Sequence, residues 1–192
     1  VHLQPRGASY TGTAEHFVVG RPLNATGLAF GPDGAMYFIT GGRQTQSGLY
    51  RVSYVGPKIE ATSPTVDKRA AAPRALRRQL EAFHGRRSSD AVEKIWPHLG
   101  SEDRWIRHAA RIALEWQDVK QWQSRALAEK DTLASLTALF ALARTATSDA
   151  QLPLLEKLNA LDFASLPEEQ QIIAGPHYQL AFNPLGAAES AV

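Results

Sequence analysis

No cysteine occurs in the 192 residues. That absence excludes a disulfide framework, thiolate metal sites, a cysteine nucleophile and c-type haem attachment within the chain. No apolar run approaches the roughly 20 residues needed to cross a bilayer. The first residues also lack the basic region and apolar stretch of a secretion signal. A net charge of +2 is too small to imply a polyanionic partner by itself. The six histidines, His2, His16, His84, His98, His108 and His177, include no i, i+4 pair and no carboxylate at metal-ligand spacing. No serine, histidine and aspartate arrangement stands out. No residue set identifies a reaction, and neither a catalytic nor a metal-binding residue is assigned.

What is present is ordinary for a soluble globular chain: 44% hydrophobic and 21% charged residues, enough for one large domain or two small ones. Charge is unevenly spread. Residues 68–87 hold Lys68, Arg69, Arg74, Arg77, Arg78, Arg86 and Arg87 against Glu81 alone, whereas residues 131–192 are mostly acidic. Such runs are read first as solvated helix faces.

The first half has the pattern of short strands. Residues 1–13, rich in Gly, Ser, Thr and Pro, are expected to be irregular, and Glu15–Val19 to form a strand. Asn24-Ala25-Thr26 matches a glycosylation pattern, but Asn24 is expected to serve a turn. Leu28–Phe30 and Ala35–Thr40 flank Gly31-Pro32-Asp33-Gly34, which predicts a tight hairpin: Asp33 can accept local backbone bonds and Gly34 supplies positive φ. Along the second of these strands Met36 and Phe38 alternate with Tyr37 and Ile39. Gly41–Gly48 is expected to be a loop, and Leu49–Tyr54 a further strand.

Residues 57–73, PKIEATSPTVDKRAAAP, contain three prolines without apolar periodicity and predict a linker. Helices are expected over about 74–84, 88–99, 102–116, 119–129, 132–145, 149–161, 166–174 and 176–182, with connections short enough for antiparallel packing. Leu152, Leu155, Leu158 and Leu161 suggest one apolar face, and Ser165 with Glu168 a capping box. Trp105 and Trp116, about three helical turns apart, are expected to share a face and fill a core between repeats. The fold class is therefore mixed β then α, divided into a sheet segment (1–56), the linker (57–73) and a helical domain (74–192).

Two stretches carry a family resemblance. Gly27-Leu28-Ala29-Phe30, Gly31-Pro32-Asp33-Gly34, Ala35-Met36-Tyr37-Phe38 and Gly48-Leu49-Tyr50-Arg51-Val52 together resemble one antiparallel blade of the β-propellers related to soluble quinoprotein glucose and sorbosone dehydrogenases. Leu99, Asp103, Ile106-Arg107, Ala110 and Ala113-Leu114 resemble a HEAT repeat, the unit of an α-solenoid. In that pattern Asp103 caps the second helix and Arg107 bonds a carboxylate or carbonyl in the adjoining turn. The combination is similar to large secreted proteins of planctomycetes and related bacteria in which a propeller precedes HEAT-like repeats and a cytochrome c domain.

This resemblance implies a periplasmic or secreted location and five further blades before Val1. It also implies pyrroloquinoline quinone and calcium as cofactors of a complete propeller only. The loop containing Arg43, Gln44, Thr45 and Gln46 would then lie on the ligand-binding face, Arg43 suited to an anionic group and the other three to sugar hydroxyls. The expected role is a helical scaffold attached to a sugar-dehydrogenase-like propeller. Its partner would be another chain or domain, bound at the β-edge or the concave helical face, with carbohydrate as a further ligand class. Two alternatives stay open: part of a quinone-dependent sugar or alcohol dehydrogenase, and a nucleic-acid-binding HEAT-like protein. The acidic C-terminal region, residues 131–192, disfavours the second.

Overall fold

A computed structural model describes residues 1–42, 44–57 and 68–182, without the side chains of residues 45 and 68–70. Among the described residues, five antiparallel strands precede seven α-helices. The chain divides into two compact units. One takes in Val1–Leu3 and the strands that follow Gly12; the other takes in Gln4–Thr11 and the helices. Part of the expected linker, residues 58–67, lies outside the described residues, as do residues 183–192.

The first strands, β1 (His2–Arg6) and β2 (Ser9–Thr13), pair as a ribbon where irregular chain is expected from sequence. Gly7, at φ +53°, sits in the connection, a conformation that glycine adopts without steric cost. The ribbon's residues are mostly exposed, so apolar alternation gives no signal of it. Glu15–Val19, expected as a strand, runs as irregular chain.

A three-stranded sheet follows in the order β3 (Ala25–Phe30), β4 (Met36–Gly42) and β5 (Thr45–Val52). The register sets Leu28 opposite Phe38 and Phe38 opposite Tyr50, so these side chains share a face. Phe38 and Tyr50 stack at 5.0 Å between ring centroids. Ile39 and Leu49 pair on the opposite face. Gly34, at φ +74°, closes the β3–β4 hairpin as the sequence predicts, and Asp33 Oδ1 accepts the Ala35 N–H at 3.2 Å. The strand following the next turn begins at Thr45 rather than Leu49, because β4 and β5 continue pairing to Gly42 and Thr45 across an irregularity between Thr40 and Gly42.

The helical unit begins with α1 (Lys68–Glu81), six residues before the expected start at 74. Pro73 lies inside this helix and removes one backbone donor from it without ending it. Then come α2 (Ala91–Ile95), α3 (Arg104–Glu115), α4 (Gln123–Ala128), α5 (Thr132–Thr145), α6 (Gln151–Asn159) and α7 (Glu168–Phe182), several introduced by 3₁₀ turns. α1, α3, α5 and α7 form one row in which each packs against the next; α2, α4 and α6 lie against them as a second row.

Local sequence explains the best-defined helices. Asp103 and Asp131 have extended backbones and cap α3 and α5 through their carboxylates. α3 buries Ile106, Ala109, Ala110, Ala113 and Leu114 along one stripe. The alanines let neighbouring helices approach closely. α5 is apolar almost all round, with Leu136, Leu139 and Leu142 at 0% exposure, which suits a helix packed against α3, α4, α6 and α7.

Four helical expectations need correction. The segments 166–174 and 176–182 are one helix, α7; Pro176 removes one N–H but does not end it. Ser165 does not cap α7, since its hydroxyl donates to Asp162 O at 2.9 Å within a 3₁₀ turn. In α6 the buried leucines are Leu154 and Leu158, four apart, while Leu152 is 41% exposed; a period of three drifts off a face that turns every 3.6 residues. Finally, Trp105 and Trp116 are exposed, whereas Trp96 and Trp122 are the buried tryptophans.

Candidate functional site

The sequence-selected loop is reduced by the structure to a hairpin end. Gln44 has φ 67° and is exposed; Gln46 is exposed on β5. Thr45 begins β5, and Arg43 lies outside the described residues. The shallow groove nearby, about 460 Å³, is lined by Thr26, Thr40, Ser47 and glycines with Ile39 and Leu49, so neither Gln44 nor Gln46 contributes to it. No group of three or more His, Asp or Glu side chains among the described residues could hold a metal ion.

A polar cluster that sequence reading missed lies across the sheet. Asp33 Oδ2 accepts from Tyr37 Oη at 2.9 Å and from Arg51 Nε and Nη2 at 3.1 and 2.9 Å. The Arg51 guanidinium, helped by the Ala35 N–H and the Tyr37 hydroxyl, holds the Asp33 carboxyl below its usual range. The cluster ties the β3–β4 hairpin to β5.

The helical unit holds the more chemically equipped site. Asp103 and Arg107, selected from sequence, are both engaged there. Asp103 Oδ1 accepts from Trp105 N at 2.9 Å and Ile106 N at 3.4 Å, while Oδ2 accepts from Ala8 N at 2.6 Å. Arg107, only 8% exposed, donates Nη1 to Ser101 O at 2.5 Å and Nη2 to Glu169 Oε1 at 3.0 Å. It ties the turn before α3 to the start of α7.

Beside Arg107 a groove of about 360 Å³ runs over α3, α5 and α7. Arg104, His108 and Arg111 follow one another at i, i+4 and i+7 and share the face of α3 that lines it. Trp105, Phe140, Ile173 and Pro176 supply apolar wall. Arg104 and Arg77 lie over the Trp105 ring at 4.9 and 5.5 Å, and Arg111 over Phe140 at 5.0 Å. Arg111 also pairs with Glu115, which meets Arg144 Nε at 3.1 Å.

His108 accepts at Nδ1 from Arg111 Nη2, 3.3 Å away, which requires a neutral ring with its proton on Nε2. Burial and the adjacent Arg111 charge both push its pKa down and favour that form. Behind Phe140, edge-on at 5.1 Å, His177 is fully buried with Nε2 at 2.6 Å from Leu136 O; burial lowers its pKa too.

The groove carries cations, one neutral imidazole donor and aromatic surface. Among the described residues that line it, no nucleophile is paired with a base, and the groove is suited to holding an anionic group against an apolar one. Its α3 residues were within reach of sequence reading through their spacing; Phe140, Ile173 and Pro176, from distant helices, were not. Comparison with known protein families, curated proteins and solved structures finds no match to this chain.

Proposed function

We propose that this chain is a non-catalytic interaction module: a HEAT-like helical scaffold joined to a blade-like sheet of a sugar-dehydrogenase-like propeller. The observation that carries this reading is apolar exposure on both faces of the three-stranded sheet. Leu28 and Phe30 are 61% and 73% exposed on one face; Ile39 and Leu49 are 47% and 71% exposed on the other. An antiparallel sheet that closes one side of a core exposes a polar second face. A sheet with two apolar faces is built to lie between neighbours, as a propeller blade does. Among the described residues the outer edges of β3 and β5 are unpaired, which favours a protein neighbour as well.

The helical half supports the scaffold part. Its two rows of helices, the Asp103 cap and the Arg107 bonds to Ser101 and Glu169 are the features a HEAT-like repeat uses. No helix among the described residues is long and apolar enough to cross a membrane.

Photo-reactive amino acids at Leu28 and Leu49, activated in the expressing cell, test the reading. Cross-links from both positions to β-rich propeller sequence support it, and cross-links from neither refute it. The enzymatic alternative predicts dye reduction by the purified chain with pyrroloquinoline quinone, calcium and glucose; the interaction module predicts none.

A further inference from the structure

We propose that the α3–α5–α7 groove is a docking site for an acidic peptide segment of a partner, one that presents a carboxylate next to an aromatic or large apolar side chain. The inference stands on the helical unit alone and does not depend on the role of the sheet.

The protein already seats a carboxylate at one end of this groove. Glu169, 74% exposed, lies on the buried Arg107 guanidinium at 3.0 Å. Glu115, 12% exposed, answers Arg111 and Arg144. Arg104 differs: it is exposed, its ring contact is with Trp105, and no carboxylate among the described residues pairs with it. It stands one helical turn from His108, whose Nε2–H is left as a donor by the Nδ1 bond to Arg111. Arg104 and His108 thus present two donors to one incoming carboxylate, and the rings of Trp105 and Phe140 offer apolar surface beside it.

Charge spacing favours a peptide over nucleic acid. Arg107 and Arg111 are each answered by a carboxylate from the protein's own helices, so a continuous line of phosphates would meet negative charge along the groove. A peptide can place one acidic group at Arg104 and turn an apolar neighbour onto the rings.

The test is a titration of the whole chain with acetyl-Glu-Phe-Glu-amide at low salt, followed by NMR of the Trp105 indole and His108 ring signals. The Gln-Phe-Gln and Glu-Ala-Glu analogues and a thymidine oligonucleotide run in parallel. Binding of the Glu-Phe-Glu peptide is expected to weaken about fivefold to tenfold in Arg104→Gln and in each peptide analogue. Arg104 is exposed, and an unchanged unfolding midpoint will confirm that Arg104→Gln remains folded. Glu169→Gln frees Arg107 and is expected to tighten binding. The proposal is overturned if the Gln-Phe-Gln peptide binds as well as the acidic one, if Arg104→Gln has no effect, or if no peptide binds. Tighter binding of the oligonucleotide than of the peptide would overturn it in favour of nucleic acid.

Discussion

Replacing Asp103 by alanine should destabilise the helical unit by more than an ordinary helix cap is worth. Its Oδ1 caps α3 through Trp105 N and Ile106 N, an interaction worth about 1 kcal/mol. Its Oδ2 accepts the Ala8 N–H at 2.6 Å. Ala8 is 2% exposed, so the deleted carboxylate leaves a backbone donor that water cannot readily reach. Such an unsatisfied group costs about 1–3 kcal/mol. The combined loss is about 2–4 kcal/mol, or a lowering of the melting midpoint by roughly 10 °C for a unit of this size. Asp131→Ala is the control, because Asp131 caps α5 through Ala134 N at 2.8 Å and its carboxylate accepts from no distant backbone N–H among the described residues; it should cost about 1 kcal/mol. Asp103→Asn retains an oxygen for the cap but turns an amide N–H₂ toward the Ala8 donor, so it should fall between the two. Urea unfolding followed at the helical circular-dichroism signal gives the energies, and amide exchange reports Ala8 directly. If Asp103→Ala costs no more than Asp131→Ala, or if Ala8 exchange is unchanged, the double role assigned to Asp103 is refuted.

Three further outcomes are expected. Gly7→Ala should cost about 1–2 kcal/mol by the same unfolding measurement, because Gly7 has φ +53° and an added methyl would meet the Asp103 carboxylate. Arg107→Met should cost about 3 kcal/mol, since it removes the donors to Ser101 O and Glu169 from a buried position; a loss within about 0.5 kcal/mol would mean those bonds contribute little. His177 has a folded pKa depressed by burial, so its contribution to stability is complete above the unfolded value near 6.5 and is lost as pH falls below it, where the unfolded chain takes up the proton first. His108 is shifted in the same direction. Unfolding between about pH 7 and pH 5 should therefore show falling stability, and His177→Gln should reduce that slope; an unaltered slope would remove His177 as its source.

The parts of the fold that were legible in sequence are those decided by neighbouring residues. The Asp33-Gly34 turn, the alternation along β4 and the capped helices α3 and α5 all follow from contacts within a few positions. The β1–β2 ribbon was not legible, because its strands are polar and the bond that holds Ala8 comes from Asp103, 95 residues away. Trp105 misled for a related reason. Its helical spacing from Trp116 is real, but Ile106, Ala110 and Ala113 form the stripe that meets the core, leaving the tryptophans beside it at the surface. The chosen loop drew attention through its glycines, yet pairing between β4 and β5 consumes most of it. The groove drew none, because its arginines on α3 gain chemical meaning only when α5 brings Phe140 and α7 brings Ile173 alongside.

The excursion of Gln4–Thr11 into the helical unit also changes what a cut through the chain would accomplish. The polypeptide belongs first to one unit, then to the other, then returns before it enters the helices. A single nick after residue 57 would therefore leave Gln4–Thr11, a part of the helical unit, on the same fragment as the strands, held to the helices by contacts such as the Ala8 N–H on Asp103 rather than by the backbone. A chain shortened to begin at Lys68 would carry every helix but not Ala8, and Asp103 would face solvent where the intact molecule supplies its own backbone. The helical unit is thus made of two pieces of sequence, and a fragment holding the helices alone lacks one of them.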